Sequence, residues 1–334
     1  PLWNVYDFFV TYANIDERTP QGACEDTEPE EPTLLDRWIL ARLNQVVAKT
    51  TDRLENYDAY ATTMVVEAFL DDLSNWYVRR SRRRFWKSER DAEKNAAYAT
   101  LYHVLTTLVR LLAPILPFVT ETMYQNLVRS LDQDTLGSVH HTYWPEADLE
   151  KVDEDLLAQM ALTREIVTQG HSARNSQGIK LRQPLAQAII HLESEVSLDD
   201  ELIELVRDEL NVKEVVFTAE VSRLITYRLL PDSQKLGPRF RDQFPAVKAA
   251  LESIEDPVHA QRRLEAELPL TISVGGEDVE LEPGDVLVRE EAREGLAVAS
   301  EHGVTVGIDV KVTEELETEG LARDVVRRIQ NLRK

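Results

Sequence analysis

The chain holds a single cysteine, Cys24, in 334 residues. No disulfide can close within it and no cysteine-built zinc site can form, which suits a reducing compartment. No apolar run approaches the roughly 18 residues that cross a bilayer as a helix. Glycine is sparse, and no glycine-rich phosphate loop is present; Gly275-Gly276 and Gly237-Pro238 read as turns. The histidines are scattered, with His140 and His141 adjacent rather than at ligand spacing, so no metal role is assigned. A nucleophile paired with a base is also missing, and no catalytic residue is assigned. Positive charge is the scarcest commodity: 38 lysines and arginines face 60 acids, a net charge of −22. Non-specific affinity for nucleic acid, which needs positive potential, is not expected of such a body as a whole. Among so many acids, neighbours such as Asp71-Asp72 carry almost no catalytic information.

The scarce positive charge is concentrated. FLDDLSNWYVRRSRRRFW, residues 69–86, runs from an apolar helix face into five arginines in six positions, interrupted only by Ser81. At about 100° per residue, Phe69, Leu73, Trp76 and Tyr77 share one face. Arg79, Arg80, Arg82, Arg83 and Arg84 cover more than half the circumference, so the second half cannot be buried like the first. With Lys87 and Arg90, residues 79–90 carry seven basic groups against Glu89. A guanidinium fork matches phosphate oxygens two at a time and stacks on bases, which favours RNA with unpaired bases over duplex DNA. The competing reading is that these arginines pair with the chain's own carboxylates. Trp76, Tyr77, Phe85 and Trp86 read as core rather than base platforms, with Trp86, beyond the basic run, the first candidate for an exception. A second island, HSARNSQGIKLRQP (171–184), holds Arg174, Lys180 and Arg182 and no acid; it reads equally as a phosphate clamp or a plain surface connection. Further basic residues lie at Arg223 to Arg241 and at Arg323 to Lys334, the latter on a solvated face.

At this length two or three domains are expected. Periodicity predicts helices over 1–15, from Thr33 with Leu35, Trp38, Ile39, Leu43 and Val46 on one stripe, over 62–87, over 91–112 with Tyr98, Leu101, Leu105, Leu108 and Leu112 on one face, and from Pro117 to Arg129. Residues 16–33, rich in proline and acid, read as a solvated linker. The helices make a bundle. A fifth bundle-side helix is expected from about Asp153 toward Gly170. Then 185–192, 197–210 (Ser197 as cap, Asn211 as stop) and 213–217 read as a small α/β unit. Beyond it come a strand at Ile225, Tyr227 and Leu229, helices opened by Pro245 and Pro257, a hairpin LTISV-GG-EDVEL, three more strands in a mostly antiparallel sheet, and a last helix aligning Leu321, Val325, Ile329 and Leu332. The fold class expected is mostly α with α+β: a helical bundle, an α/β junction and a mixed, largely antiparallel α+β domain.

WNVYDFFVTYANID, LLDRWILARLN, LSNWYVRRSRRRFW, LLAPILPFVTETMYQNL, GIKLRQPL, LGPRF and GLARDVVRRIQNLRK together resemble the C-terminal half of isoleucyl-tRNA synthetases, over nearly the whole chain and in order. LLAPILPF is shared with the related synthetases for valine, leucine and methionine, whereas WYVRRSRRRFW, LGPRF and GLARDVVRRIQNLRK favour isoleucine. The resemblance implies a connector from a catalytic domain (1–32), a helical anticodon-binding bundle (33–150), an α/β junction (151–218) and an α+β C-terminal domain (219–334). It implies a piece of a longer cytoplasmic enzyme, opening mid-pattern at Pro1, monomeric and without a membrane segment. Its partners would be the isoleucine tRNA and the enzyme's own catalytic domain, and its ATP and Mg²⁺ would be used outside this chain, where the HIGH and KMSKS motifs of the family lie. On this reading Arg79, Arg80, Arg83 and Arg84 hold the anticodon stem-loop backbone with Lys87, Trp86 or Arg82 offers a stacking plane, and Arg174, Lys180 and Arg182 add contacts. A valyl-tRNA synthetase piece and a helical protein-interaction scaffold are the alternatives.

Overall fold

The computed structural model describes residues 1–17, 31–87, 91–194, 196–254 and 256–332. Cys24, Arg90, Lys334 and most of the 16–33 linker lie outside the described residues. The chain divides into two compact units, Pro1–Met160 and Ala161–Lys334.

The first unit is helical. Its elements are α1 (Leu2–Ile15), α2 (Leu34–Glu55), α3 (Ala59–Asp71), a π-helical stretch (Asp72–Val78), α4 (Arg79–Trp86), α5 (Ala92–Leu112) and α6 (Pro117–Tyr124), the last continued by a second π-helical stretch. Thr33 caps α2 through a reciprocal box with Asp36, and Asp91 caps α5. The predicted stripe of α5, Tyr98, Leu101, Leu105, Leu108 and Leu112, is buried along its whole length, as are Trp38, Ile39, Leu43 and Val46 of α2. Residues read as a connector are part of this core: α1 buries Leu2, Val5, Tyr6, Phe9 and Ala13, and Phe8 and Phe9 meet Phe85 and Tyr98 edge to face.

From α7 (Glu154–Ser176) the chain enters β1 (Leu185–Leu192), α8 (Asp200–Leu210), β2 (Val212–Phe217), β3 (Ile225–Pro231), α9 (Ser233–Phe240), α10 (Phe244–Glu252), α11 (Pro257–Glu265), β4 (Leu270–Val274), β5 (Glu277–Leu281), β6 (Val286–Ala292), β7 (Leu296–Glu301), β8 (Val304–Asp309) and α12 (Glu314–Leu332). Among the described residues three sheets result rather than one continuing sheet: β2-β1-β8-β7, β3-β6 and β4-β5. The first joins β1, parallel to β2, with β8 antiparallel on its other side, so it crosses the boundary expected at 218/219. Gly275 and Gly276, at φ 63° and 92°, turn the predicted β4-β5 hairpin. Asn211, at φ 49°, stops α8 as expected, but the helix starts at Asp200 and Ser197 does not cap it. Gly237-Pro238, read as a turn, lies within α9. On α12 the apolar residues align as predicted yet stay exposed, from 49% at Val325 to 87% at Leu332.

Candidate nucleic-acid interface

The basic segment is displayed by a buried ridge. Phe69, Leu73, Tyr77, Ser81 and Phe85, each four residues on, are all essentially inaccessible. On a regular α-helix that spacing would drift by about 40° per step. The wider π turn at 72–78 takes up part of the drift and keeps the ridge on the core side. The exposed side of α4 then presents Arg79, Arg82, Arg83 and Trp86, at i, i+3, i+4 and i+7, as one stripe.

Within the run the arginines have separate fates. Arg84 turns inward: its Nη1 and Nη2 donate to the two carboxylate oxygens of Asp36 at 2.9 and 2.7 Å, and Nε and Nη2 donate to the Glu93 carbonyl. Tyr77 Oη donates to the same carboxylate at 2.6 Å, and the Thr33 backbone N–H donates at 2.9 Å. Burial pushes the Asp36 carboxyl up, but the Arg84 fork, with Tyr77 and Thr33, outweighs it and holds the group below the usual carboxylate range. Burial and the Asp36 charge push the Tyr77 phenol well up, so it remains a donor. Arg84, expected at the RNA, is therefore engaged as a fastener between α4 and the start of α2. Its fork is already filled.

The rest of the stripe is differently placed. Arg79 is exposed, with Nε donating to the Asn75 carbonyl at 2.7 Å and its guanidinium 5.8 Å from the Trp76 ring. Arg80 is half-buried. Arg82 and Arg83 make no ion pair among the described residues; Arg82 is exposed and Arg83 is open to solvent beside it. Trp86 is 56% exposed. Lys87 is exposed too, but its ammonium is held by Glu93 at 2.5 Å and Asp91 at 3.2 Å, which raise its pKa and cancel most of its charge. A buried lysine that sequence reasoning missed, Lys94, donates to the Lys87 carbonyl at 2.6 Å and pairs with Asp16 at 2.7 Å, anchoring the end of α4.

The second island lies in the other unit. Arg174 is buried, donating to the carbonyls of Lys180, Gln183 and Asn211 at 3.0 to 3.1 Å, and desolvation pulls its pKa down to about 10. It closes the loop rather than gripping a phosphate. Lys180 is exposed, and Arg182 pairs with Asp324 at 2.6 Å. Of the ten expected residues, Arg174 is thus buried and Arg84 is committed to an internal pair, while Arg79, Arg82, Arg83 and Trp86 are brought together. Elsewhere in that unit Glu165, Glu301 and His302 converge, with Gln169 donating to both carboxylates.

A stripe of arginines ending in an open indole, in a body otherwise negative, can admit a looped polyanion in one pose. Residues 36–190 match the family model described as the anticodon-binding domain of tRNA ligase. That segment belongs to this family. The whole chain is 41% identical to an isoleucine-tRNA ligase of Clostridium novyi over 335 residues, which is 32% of that relative. It is 38% identical to the isoleucine-tRNA ligase of Thermus thermophilus, again over 100% of the chain and 32% of the relative. With the isoleucine-tRNA ligase of Deinococcus radiodurans the identity is 41%, over 100% of the chain and 30% of the relative. The chain therefore spans about a third of the length of these relatives. Its anticodon-binding region includes α2 from Asp36, the π stretch, α4 and α5. No helix among the described residues is long and apolar enough to cross a membrane.

Proposed function

We propose that this chain is the tRNA-reading part of an isoleucine-tRNA ligase and that the α4 stripe lies along the anticodon stem-loop. Arg79, Arg82 and Arg83 would contact phosphates, and Trp86 would stack on an unpaired base. Arg80, and in the other unit Lys180 and Arg182, stand as further tRNA contacts. The observation that carries the reading is the pair Arg82 and Arg83, two solvent-facing guanidinium groups without an acidic partner among the described residues of a chain of charge −22. Relatives that are isoleucine-tRNA ligases along the full length of the chain support isoleucine over valine. The complete enzyme would join isoleucine to its tRNA in the cytoplasm as a monomer, with ATP and Mg²⁺ handled by parts outside this sequence.

Filter binding of an isoleucine tRNA transcript tests the interface. Arg82→Ala with Arg83→Ala should weaken binding and flatten the log-log salt dependence by about 0.7 to 0.9 for each phosphate no longer neutralised. An unchanged slope with a lower melting temperature would assign these arginines to the fold instead. A transcript carrying a valine anticodon that competes equally would remove the isoleucine assignment.

A further inference from the structure

A cavity elsewhere in the helical unit has no part in the stripe. It measures about 460 Å³ and lies against α2 and the end of α5, walled on its outer side by residues 143–151. That outer wall is pinned twice to α2: the Trp144 indole donates to Thr51 Oγ1 at 2.8 Å, and the Asp148 backbone N–H donates to Asn44 Oδ1 at 2.9 Å. The two anchors are seven residues apart, about two helical turns, so the wall bridges α2 and leaves a hollow beneath. Its floor is apolar, from Leu40, Leu43 and Val47.

Arg110 reaches this hollow from the last turn of α5. It is half-buried and makes no side-chain hydrogen bond or ion pair among the described residues. Partial desolvation of an unpaired guanidinium is costly, and here acids outnumber basic residues, so a missing partner calls for explanation. Glu146 and Asp148 line the same cavity, and the Tyr143 ring at its rim is 88% exposed.

The mixture narrows the ligand. Lys151 lines the cavity too, but its ammonium is held by Asp148 at 3.3 Å, which leaves Arg110 and Glu146 as the lining charges without an ion pair among the described residues. Bare phosphate would meet the Glu146 carboxylate, and an apolar molecule would leave Arg110 unpaired. A purine offers a flat face to Tyr143 and fits a cavity of this size. Guanine alone places two adjacent acceptors, O6 and N7, before an arginine fork, while its N1–H and exocyclic amine are donors suited to a carboxylate. Adenine sets an amine donor where the fork needs an acceptor. We infer that this cavity is a binding site for an unpaired guanosine of RNA, separate from the α4 stripe. Only the source of the base rests on the proposed tRNA function; the chemistry of the cavity does not.

In a proton–nitrogen correlation NMR spectrum the five tryptophan indoles should each give one N–H signal, and that of Trp144 would be identified as the one lost in Trp144→Phe. The chain is titrated with GMP, AMP, ribose 5-phosphate and inorganic phosphate while that signal is followed. GMP should move it saturably at millimolar concentration, with AMP and Arg110→Met each at least about tenfold weaker, in keeping with removal of a bidentate pair. Arg110→Met breaks no internal pairing and should keep the wild-type circular dichroism; Tyr143→Ala, at an exposed ring, gives a second variant that should weaken GMP. Silence with GMP, equal shifts with AMP or with either phosphate, or an undiminished response in Arg110→Met overturns the site. A short single-stranded RNA containing one guanosine should bind more tightly than GMP. An RNA no tighter than GMP overturns RNA as the source, while loss of tRNA binding in Arg82→Ala with an intact GMP response bears on the stripe alone.

Discussion

Arg84 and Asp36 meet fork to fork, 48 residues apart in sequence, at a carboxylate with no accessible surface. The pair fixes how far α4 can rotate, and so decides which of its neighbours point outward. Replacing Asp36 by Asn keeps an oxygen for Tyr77 but leaves the Arg84 charge buried without a counter-charge. The helical unit should lose about 3–5 kcal/mol. All five tryptophans lie in that unit, so tryptophan fluorescence during urea unfolding reads its stability alone.

The same carboxylate gives the unit an acid limit. Its folded pKa is depressed, so its contribution is complete above the unfolded value of about 3.9 and is lost as pH falls through the lower folded value. Wild-type protein should therefore lose stability steeply below about pH 4, and Asp36→Asn should show a shallower slope there. Urea midpoints followed from pH 5 downward check this, and parallel curves would show that Asp36 is not the group responsible.

Much of this was legible in the sequence. The α5 face, the α2 stripe and the Gly275-Gly276 hairpin follow from local periodicity and turn chemistry, which need no knowledge of partners. The inward turn of Arg84 was not, because its partner is contributed by a different helix and the π stretch resets the phase of the face between them. Arg174 misled for a related reason: a basic loop without acids invites an external anion, yet backbone carbonyls can hold both terminal nitrogens of a guanidinium and leave no charge pattern in the sequence. The pairing of β1 with β8, more than a hundred residues on, carries no local signal either.

Arg174→Met should cost the α/β unit on the order of 3 kcal/mol by orphaning buried carbonyls. Hydrogen exchange should rise through 180–185 and at the start of β2, just after Asn211. Lys180→Ala, at an exposed side chain, should leave both unchanged. Comparable exchange in the two variants would mean the loop closes without Arg174.

Gly170 sets a steric test of the same unit. An added Cβ would stand 2.3 and 2.8 Å from the Leu210 methyls, and Leu210 is fully buried. Helix propensity favours alanine by about 1 kcal/mol, whereas overpacking costs about 1–3 kcal/mol. Sterics should win, so Gly170→Ala lowers stability, and Gly170→Ala combined with Leu210→Ala should cost less than the sum of the two. A stabilised single variant would show that Leu210 can withdraw.

Trp86 separates stacking from charge. With its ring 56% exposed, Trp86→Ala should leave the unfolding midpoint almost unchanged. If the indole stacks on a base, affinity for the tRNA transcript should fall by about 1–3 kcal/mol, while the salt slope, set by phosphates, stays as in the wild type. Trp86→Phe should retain most of the affinity, since a smaller ring still offers a face. The opposite pattern, a flattened slope with no weakening specific to the missing ring, would make Trp86 a spacer for the arginines before it and move the base contact onto Arg82.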